Sequence, residues 1–485
     1  MHDTPIVESF VACADRDPGA PALVWYEREI SYGELYRAAV AQRDRMTRLG
    51  LGTDEPVGVL AAKSPDAVAL VLGCLLARRP FLLPSATLPH ETLRTLFGAA
   101  GCARVLTPDD DLALGERAAA RVAVPPDTSF MLTTSGSTGT PKIVPVRAIG
   151  VDRFAAWASV HFGIGPGTTV LNHAPLNFDL CLLDVWTTLA RGGRVVLCDP
   201  AQAANGKHLL GLLARHEVHL VQAVPMFYRL LAEAAGAHRF DRVEHVVFTG
   251  DLLPRRDLQV LPKLFPGARL HNVYGCTETN DSFTHEVDPA RLPAGPVPLG
   301  DPLPGVQVLV IAQDGTPLRG RGTGELYVST PFQTGGYLGE WADVGRFGPH
   351  PHGTQGVQYY RTGDLVVRGE DGQLVLRGRD DFQVKVRGVR IDMQDIERIL
   401  LDHPAVAEAA VVAVPDDTVG HALTAAVRRV RGSGLNSLVV RGHCARWLAP
   451  AAVPTTVRIT DDPLPRTSTG KVDRNLITEQ SQPSR

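Results

Sequence analysis

The chain has 485 residues, of which 44% are hydrophobic and 21% charged, and its formal net charge is −3. This length predicts two or more domains, and the composition is that of an ordinary globular protein. The weak negative charge argues against nucleic acid and against an anionic membrane surface as partners.

The cysteines are spread singly along the chain, and none forms a C-x-x-C pair. They are Cys13, Cys74, Cys102, Cys181, Cys198, Cys276 and Cys444. Scattered, unpaired cysteines predict a reducing compartment rather than a disulfide framework or a zinc site. Residues 1–6 lack the features of a signal peptide, and no apolar run is long enough to predict a transmembrane helix. We therefore expect a cytoplasmic protein.

Helices and strands are predicted to alternate over the first 250 residues. Residues 1–50 are predicted to be helical, with Ser31 and Glu34 forming a capping box for a helix over residues 34–49. The predicted strands that follow are residues 57–60, 81–83, 103–106, 169–171, 194–197, 220–222 and 245–248. The predicted helices between them are residues 66–77, 89–99, 182–190, 206–216 and 227–235. This alternation predicts α/β architecture with mainly parallel sheets.

The pattern changes after about residue 300. Short strands over residues 306–311, 324–328 and 374–376 are separated by Asp-Gly turns at 314–315 and 371–372, which predicts an antiparallel, β-barrel-like part. Strands 384–386, 409–414 and 456–459 and helices 393–401 and 438–448 then form a small α+β segment. We place a boundary near Asp380 and Asp381. Residues 1–380 form a large N-terminal domain of α/β subdomains, and residues 381–485 form a small mobile cap.

A loop rich in glycine, serine and threonine spans residues 132–142 and ends in Pro141 and Lys142. Apolar runs at residues 129–132 and 143–146 predict a tight loop between two strands. Free backbone N–H groups, hydroxyls and a lysine are suited to binding a polyphosphate. A P-loop is excluded, because Pro141 would block the helix that a P-loop begins. A purely structural surface loop remains the alternative for this stretch taken alone.

Five further motifs follow in a fixed order. Together with residues 134–142 they lie at residues 272–279, 324–326, 360–365, 378–388 and 465–471. The set resembles the signatures of the adenylate-forming superfamily, which includes acyl-CoA synthetases, luciferases and nonribosomal peptide adenylation domains. The resemblance covers nearly the whole chain, and six ordered motifs do not arise by accident. It implies that a carboxylate attacks the α-phosphorus of ATP and expels pyrophosphate, with positioning and charge neutralisation supplying most of the catalysis.

The resemblance also implies roles for individual residues in binding ATP. Tyr274 would stack on adenine, with the Gly250 and Asp251 backbone at the edge of the base, and Asp364 would accept from the ribose hydroxyls with Arg379 as a helper. Glu278 would hold Mg²⁺, which prefers oxygen ligands. The full nucleotide-binding set is Thr134, Ser135, Gly136, Ser137, Thr138, Gly139, Lys142, Gly250, Asp251, Asn272, Tyr274, Thr277, Asp364, Arg379 and Lys471.

The catalytic residues implied by the resemblance are Lys471, Lys385 and Thr138. Lys471 would bridge the substrate carboxylate and ATP, and Lys385 would lie on the other face of the cap. Asp381 matches the hinge about which the cap would rotate, withdrawing Lys471 and bringing in the surface that meets the thiol partner.

Residues 178–181 resemble the F-D-x-S motif of the amino-acid-activating members, with Cys181 in place of serine. In those enzymes the aspartate, here Asp179, pairs with the substrate's amino group, a charge-assisted contact. A helix N-cap is the structural alternative for Asp179. The implied pocket is Asp179, Leu180, Leu183, Gln222, Val247, Thr249, Val273, Asp281 and Ser282, together with Lys471. It favours a small or polar amino acid, with a β-amino acid as a further option. Cys276 stands where the family usually has proline.

No carrier domain is recognised in the chain. Residues 436–438 are superficially similar to a phosphopantetheine attachment site, but they lie inside the predicted cap and are predicted to be a turn before a helix. We expect a freestanding adenylation enzyme that loads a separate carrier protein. The alternatives are an acyl-CoA ligase for a carboxylic acid without an amino group, and a non-catalytic protein that binds nucleotide or carrier.

The first prediction concerns Lys471. Replacing it with alanine removes the positive charge expected beside the reacting carboxylate and phosphate, so we expect Lys471→Ala to reduce ATP–pyrophosphate exchange by roughly 100-fold or more. Circular dichroism and thermal unfolding should match those of the native protein. Near-normal exchange by a folded variant would exclude this role for Lys471.

Overall fold

The computed structural model of the chain describes residues 5–51, 55–113, 123–134, 141–293, 295–339, 345–379, 383–416, 420–465 and 472–481. The chain divides into two compact units. The first comprises Met1–Ala86, Phe97–Thr133 and Ile143–Asp380, and the second comprises Thr87–Leu96, Thr134–Lys142 and Asp381–Arg485. The second unit therefore contains the predicted cap and two short segments of the predicted large domain. The mobility of the cap remains a prediction.

The strands of the described residues are numbered in chain order. They are β1 (Pro21–Trp25), β2 (Arg28–Ser31), β3 (Val57–Val59), β4 (Phe81–Leu82), β5 (Arg104–Leu106), β6 (Asp111–Ala113), β7 (Thr128–Thr134), β8 (Lys142–Arg147), β9 (Thr169–Asn172), β10 (Arg194–Leu197), β11 (Leu220–Ala223), β12 (His245–Thr249), β13 (Arg269–Cys276), β14 (Asn280–Val287), β15 (Asp301–Pro302), β16 (Gln307–Ile311), β17 (Gly322–Ser329), β18 (Phe347–Gly348), β19 (Tyr359–Arg368), β20 (Leu374–Arg379), β21 (Gln383–Val386), β22 (Val389–Asp392), β23 (Val406–Asp416), β24 (Gly420–Arg429) and β25 (Thr456–Thr460).

The helices are numbered in the same way. They are α1 (Ile6–Arg16), α2 (Tyr32–Arg48), α3 (Pro65–Leu76), α4 (His90–Ala99), α5 (Ala148–His161), α6 (Thr188–Ala190), α7 (Gly206–Arg215), α8 (Pro225–Ala234), α9 (Arg255–Leu258), α10 (Leu261–Leu264), α11 (Met393–Leu401), α12 (Ser437–Cys444) and α13 (Arg474–Ser481). A π-helix spans Leu182–Thr187, and short 3₁₀ turns span Pro200–Gln202 and Pro450–Ala452.

Two large sheets form the framework of the first unit. The nine-stranded sheet has the order β15-β14-β13-β12-β11-β9-β10-β1-β2, and its strands from β13 to β1 run parallel. The six-stranded sheet has the order β6-β5-β3-β4-β7-β8, and its strands β5, β3, β4 and β7 run parallel. Strands such as β9, β11 and β12 are buried along their whole length, as expected for parallel sheets covered on both faces. The predicted α/β architecture is confirmed.

The predicted antiparallel part is a five-stranded sheet with the order β16-β17-β19-β18, in which β20 also pairs with β19. The two Asp-Gly turns have the predicted backbone, because Gly315 and Gly372 adopt φ of +83° and +80°. In the second unit, β21 pairs with β22, and β23, β24 and β25 form a separate sheet. Asn436 is the N-cap of α12, and its side chain accepts from the Val439 N–H. The turn predicted before this helix is confirmed.

One predicted helical segment is wrong, and a second is helical as predicted but begins with a different type of helix. Residues 21–31 form the antiparallel hairpin β1–β2 rather than a helix, because β1 also pairs with β10, a partner more than 160 residues away that local patterns do not reveal. The predicted helix 182–190 begins as a π-helix. The hydroxyls of Thr187 and Thr188 donate to the carbonyls of Leu182 and Leu183, five residues earlier, which is consistent with the wider turn.

In the described part of the chain, no helix is long and apolar enough to cross a membrane. None of the seven cysteines, all of which are among the described residues, forms a disulfide.

Three histidines meet in the core of the first unit. His245 Nδ1 lies 3.0 Å from His271 Nε2, and the ring of His161 contacts that of His271. His271 is only 1% exposed. Burial lowers the pKa of all three groups. The pKa of His271 falls to about 3, because the charges of His245, His161 and Arg269 add to the effect of burial while Glu286 opposes it. The folded protein therefore holds these rings neutral.

This cluster predicts loss of stability in acid. A depressed pKa contributes stability that is complete above the ordinary value near 6.5 and declines as the pH falls toward the folded-state value. We expect His271 alone to cost about 2 kcal/mol of unfolding free energy between pH 6.5 and pH 5. Urea unfolding across this range should show a shallower pH dependence for His271→Phe. His352→Phe is the control, because His352 is exposed. If stability depends on pH as steeply in His271→Phe as in the native protein, the interpretation is contradicted.

Candidate active site

Many of the predicted site residues lie at one edge of the nine-stranded sheet. Strands β9, β11, β12 and β13 are parallel neighbours, so their carboxyl ends meet at the same edge. Gln222 lies near the end of β11, Thr249 ends β12, and Tyr274 lies near the end of β13. In open α/β sheets, the crevice outside these carboxyl ends is where ligands bind.

Asp364 is the centre of a buried polar cluster. The Tyr274 hydroxyl donates to Asp364 Oδ2, and Arg379 Nη1 donates to Asp364 Oδ1. The side chains of Arg379 and Asp364 are 11% and 7% exposed, so the ion pair is largely shielded from water. Burial and then the charge of Asp364 raise the pKa of Tyr274, which keeps the phenol protonated as a donor. A carboxylate has about four acceptor positions, so two remain for a ligand.

Irregularities in the antiparallel sheet set the position of Asp364. The pairing of β17 with β19 shifts register between Glu325 and Tyr327, and Gly363 adopts φ of +76° inside this bulge. The Thr362 hydroxyl donates to the Leu326 carbonyl at 2.7 Å and accepts from the Asp364 N–H at 3.0 Å. The bulge and these bonds direct Asp364 toward its partner Arg379, which lies opposite it on β20.

Glu278 lies between β13 and β14 and is 1% exposed. The Tyr337 hydroxyl donates to Glu278 Oε1 at 2.6 Å, and Tyr337 lies 3.3 Å from the Tyr360 hydroxyl. The described residues contain no group of three or more acids, histidines or cysteines that could hold a metal. Mg²⁺ is usually bound by one or two protein carboxylates together with substrate phosphates and water, and the carboxylate of Glu278 is of this kind; its metal role stays a prediction.

Asp179 and Thr277 line one pocket in the first unit. The other lining residues are Leu132, Val146, Gly150, Val151, Leu182, Asn280, Phe332 and Thr334. Cys181, and not Asp179, occupies the N-cap position of the π-helix, and that cap has no side-chain hydrogen bond. Asp179 lies two residues before Cys181, in the turn that leads into this helix, and its role stays a prediction.

Asp179 is the acid among these lining residues, and its charge acts on a second acid, Asp281. Burial, together with the charges of Asp179 and Asp184, raises the pKa of Asp281 to about 8. Burial also raises the pKa of Asp184, while hydrogen bonds from Asn172 and Gln222 and the charge of Lys63 oppose the rise. Neighbouring carboxyls that oppose one another's ionisation are stabilised by a positive charge between them. The electrostatics of the pocket thus favour a cationic ligand group.

The other predicted pocket residues are more deeply placed. Gln222 Nε2 donates to the Leu180 carbonyl and to Asp184 Oδ1, both at 2.9 Å, so only its oxygen is left for a ligand. The Ser282 hydroxyl bonds within its own hairpin, to the Asn280 carbonyl at 3.3 Å. The remaining predicted pocket residues are buried with the core: Leu183, Val247, Thr249 and Val273.

Several predicted nucleotide-binding residues have structural contacts of their own. Gly250 adopts φ of +83°, Asp251 Oδ1 accepts from the Leu252 N–H, and Asn272 Nδ2 donates to the Pro298 carbonyl at 2.8 Å. Thr134 ends β7 and Lys142 begins β8, as predicted for strands flanking the glycine-rich loop. Lys385 is half-buried on β21.

The predicted residues Ser135, Gly136, Ser137, Thr138, Gly139, Asp381 and Lys471 lie outside the described residues. Their roles, and those of the other predicted site residues, remain predictions.

Sequence reasoning missed three residues that support the site: Asp184, Tyr337 and Thr362. Asp184 offered a signal, because it is a lone acid in the apolar run of residues 182–186.

Cys181 replaces the motif serine without exposing a thiol. It is buried, which raises its pKa, and its Sγ lies 3.2 Å from the Pro175 carbonyl, a contact that a serine hydroxyl would also make. Cys276 Sγ lies 3.1 Å from the Thr279 hydroxyl.

The buried ion pair gives a stability prediction. Arg379→Met leaves Asp364 buried without its cation, so we expect the free energy of unfolding to fall by about 3 kcal/mol. The Arg321–Glu370 pair is the matched control, because its side chains are 74% and 82% exposed. Arg321→Met should cost less than about 1 kcal/mol. Urea unfolding measures both, and equal costs for the two variants would contradict the buried pair.

The chain is similar to known proteins over most of its length. The AMP-binding enzyme family matches residues 10–125 and 110–338, and the AMP-binding enzyme C-terminal domain matches residues 395–471. An L-proline–[L-prolyl-carrier protein] ligase of Streptomyces coelicolor is 32% identical over 494 residues, covering 92% of this chain and 91% of that protein. The enzyme of the same name from Pseudomonas fluorescens is 30% identical, covering 95% and 89%.

A solved structure has the same fold. The adenylation domain AlmE of Vibrio cholerae, in complex with glycyl-adenosine-5′-phosphate, matches with a TM-score of 0.84 at 19% identity, covering 98% of this chain and 97% of that one. The predicted fold class is confirmed. The chain belongs to the AMP-binding enzyme family, the adenylate-forming superfamily to which its ordered motifs pointed.

Proposed function

We propose that the protein is an ATP-dependent, AMP-forming ligase for an amino acid. It activates the amino acid as aminoacyl-AMP with release of pyrophosphate, and transfers it to the phosphopantetheine thiol of a separate carrier protein. The observation that carries the proposal is the position of Asp179, which lines the pocket beside Thr277 with Asp281 as an acidic neighbour. The names of the two bacterial carrier-protein ligases support it independently.

In this proposal, oxygen atoms that accept hydrogen bonds recognise the amino group of the substrate. An ammonium group gains a charge-assisted hydrogen bond from Asp179, and its charge offsets the repulsion among the acids around the pocket. The amide of Gln222 contributes only its oxygen, because its N–H donors are used within the protein. A carboxylic acid without an amino group could not make this contact with Asp179, so the alternative of an acyl-CoA ligase is disfavoured.

The substrate is a small or polar amino acid, with a β-amino acid as a further option. Leu132, Val146 and Phe332 bound the pocket on its apolar side, and Asp179 and Thr277 are polar. L-Proline belongs among the candidates because two relatives are named for it.

The nucleotide is bound by residues from several motifs. Asp364 accepts from the ribose hydroxyls with its remaining acceptor positions, and Tyr274 stacks on the adenine. Lys142 and the residues of the glycine-rich loop neutralise the phosphates. Glu278 holds Mg²⁺, which, when bound, neutralises charge on the phosphate oxygens. With Lys471 as the bridging cation, a substrate carboxylate oxygen bonds to the α-phosphorus while the bond to pyrophosphate breaks.

The second step uses the other face of the cap, residues 381–485. Rotation at Asp381 withdraws Lys471 and brings the surface around Lys385 to the carrier. The phosphopantetheine sulfur then bonds to the acyl carbon, and the bond from that carbon to AMP breaks. We place the enzyme in the cytoplasm, where ATP is available. The buried cluster of Asp364, Tyr274 and Arg379 weighs against the alternative of a non-catalytic protein.

ATP–pyrophosphate exchange tests the proposal. The panel contains the twenty proteinogenic amino acids, β-alanine and propionate, and we expect strong exchange with one small or polar amino acid. Asp179→Ala should reduce that exchange by roughly 100-fold, because the ammonium loses its charged acceptor. The exposed Asp314→Ala is the control and should retain full exchange. A response to propionate alone would contradict the proposal and favour the acyl-CoA ligase.

A further inference from the structure

Asp184 is a buried carboxyl group to which neither the motifs nor the proposed reaction gives a role. It lies five residues after Asp179, on the π-helix, and is 0% exposed. Its Oδ2 accepts from Asn172 Nδ2 at 3.1 Å, and its Oδ1 accepts from Gln222 Nε2 at 2.9 Å. These two donors come from the ends of β9 and β11, so one carboxylate joins two strands of the sheet to the π-helix.

Both partners of Asp184 also hold the turn that carries Asp179. Gln222 Nε2 donates to the Leu180 carbonyl at 2.9 Å, and Asn172 Nδ2 lies 3.4 Å from Cys181 Sγ. Leu180 and Cys181 directly follow Asp179 in the chain. A shift of either amide would therefore be transmitted to the position of the Asp179 carboxylate.

Lys63 holds the start of the segment that connects β9 to the π-helix. Its ammonium group donates to the carbonyls of Asn172, His173 and Ala174 at 3.2, 2.9 and 3.1 Å. Lys63 is itself buried, and it follows β3 of the six-stranded sheet. Its positive charge favours the ionised form of Asp184, as the two amide donors do, while burial opposes it. The connection between β9 and the π-helix is thus fixed at both ends by buried polar groups.

A buried charged network of this kind is weak evidence for stability, because apolar residues of similar volume often stabilise a core equally well. Its geometry, in contrast, defines one position for the turn. We propose that Asp184 is a positioning residue of the amino acid pocket. Acting through Gln222, it fixes the turn at residues 179–181 and so sets where the substrate's amino group binds. This inference rests on the proposed function.

The chemistry of the network makes Asp184→Asn an informative change. The carboxylate accepts two N–H donors, whereas an asparagine side chain has only one accepting oxygen. Its NH₂ group would oppose the donor of either Asn172 or Gln222. A 180° rotation of the Gln222 amide would remove this clash of donors, but it would place the amide oxygen against the Leu180 carbonyl, to which the amide nitrogen now donates. The variant keeps the volume of the side chain but loses one of the bonds that hold the turn.

The experiment measures steady-state ATP–pyrophosphate exchange with the native protein and Asp184→Asn. The substrate is the amino acid of the panel above that gives the strongest exchange with the native protein. We expect the KM for the amino acid to rise at least 10-fold, with the KM for ATP unchanged within about twofold. The preference for this amino acid over propionate should fall by a similar factor. Asp257→Asn is the control, because Asp257 is also buried and bonded, to Arg229, but does not line the pocket.

A double-mutant cycle with Gln222→Leu tests whether Asp184 acts through Gln222. We expect the effects of Asp184→Asn and Gln222→Leu on the amino acid KM to be strongly non-additive. If Asp184→Asn lowers the melting temperature but leaves the KM and the preference over propionate unchanged, Asp184 is only structural and the inference is wrong. Additive effects would also overturn it. Exchange by the native protein with propionate alone would instead overturn the proposed function on which the inference rests.

Discussion

The withdrawal of carboxylates from water is the physical constraint on which this site depends. An acid in the interior is costly unless donors or a cation replace its hydration. Asp364 has a guanidinium and a phenol, Glu278 has the Tyr337 hydroxyl, and Asp184 has two amides. Each acid is thereby held in one orientation before any ligand arrives. Such prior orientation is what a reaction governed by positioning and charge requires.

Asp281 differs from these acids, because its neighbours are themselves acidic. The charges of Asp179 and Asp184 and its own burial all raise its pKa. The structure therefore combines an acid whose hydrogen-bond donors are already in place, Asp364, with a pocket lined by Asp179 close to the buried acid Asp281. This division matches the two substrates of the proposed reaction, a nucleotide with a neutral sugar edge and an amino acid with an ammonium group.

The parallel sheet brings these groups together. The ends of β9, β11, β12 and β13 share one edge, and the connections that leave this edge carry the pocket residues. The antiparallel sheet contributes Asp364 through a bulge, and β20 supplies its partner Arg379. The π-helix adds Asp184 one turn after Asp179. Irregular backbone thus occurs at two of the points where acidic side chains must be directed, as is common at functional sites.

Much of this arrangement could be read from local patterns. Periodicity identified most strands and helices, and ordered motifs identified Tyr274, Glu278, Asp364 and Arg379 as a set. The hairpin β1–β2 was missed, because the pairing of β1 with β10 depends on residues distant in the chain. The π-helix was predicted as an ordinary helix, because the threonine bonds that accompany its wider turn leave no periodic signal.

By itself, the sequence determined which chemical groups are available, namely the acids and a loop rich in glycine, serine and threonine that ends in Lys142. It also determined the short-range turns and helix caps. These follow from neighbours a few residues apart. Only the tertiary structure decided which acids acquire donors and which face one another. The Tyr274–Asp364 bond joins residues 90 positions apart, and the Gln222–Asp184 bond joins residues 38 apart. The state of a buried carboxyl depends on its surroundings in space, and no local pattern of residues records those surroundings.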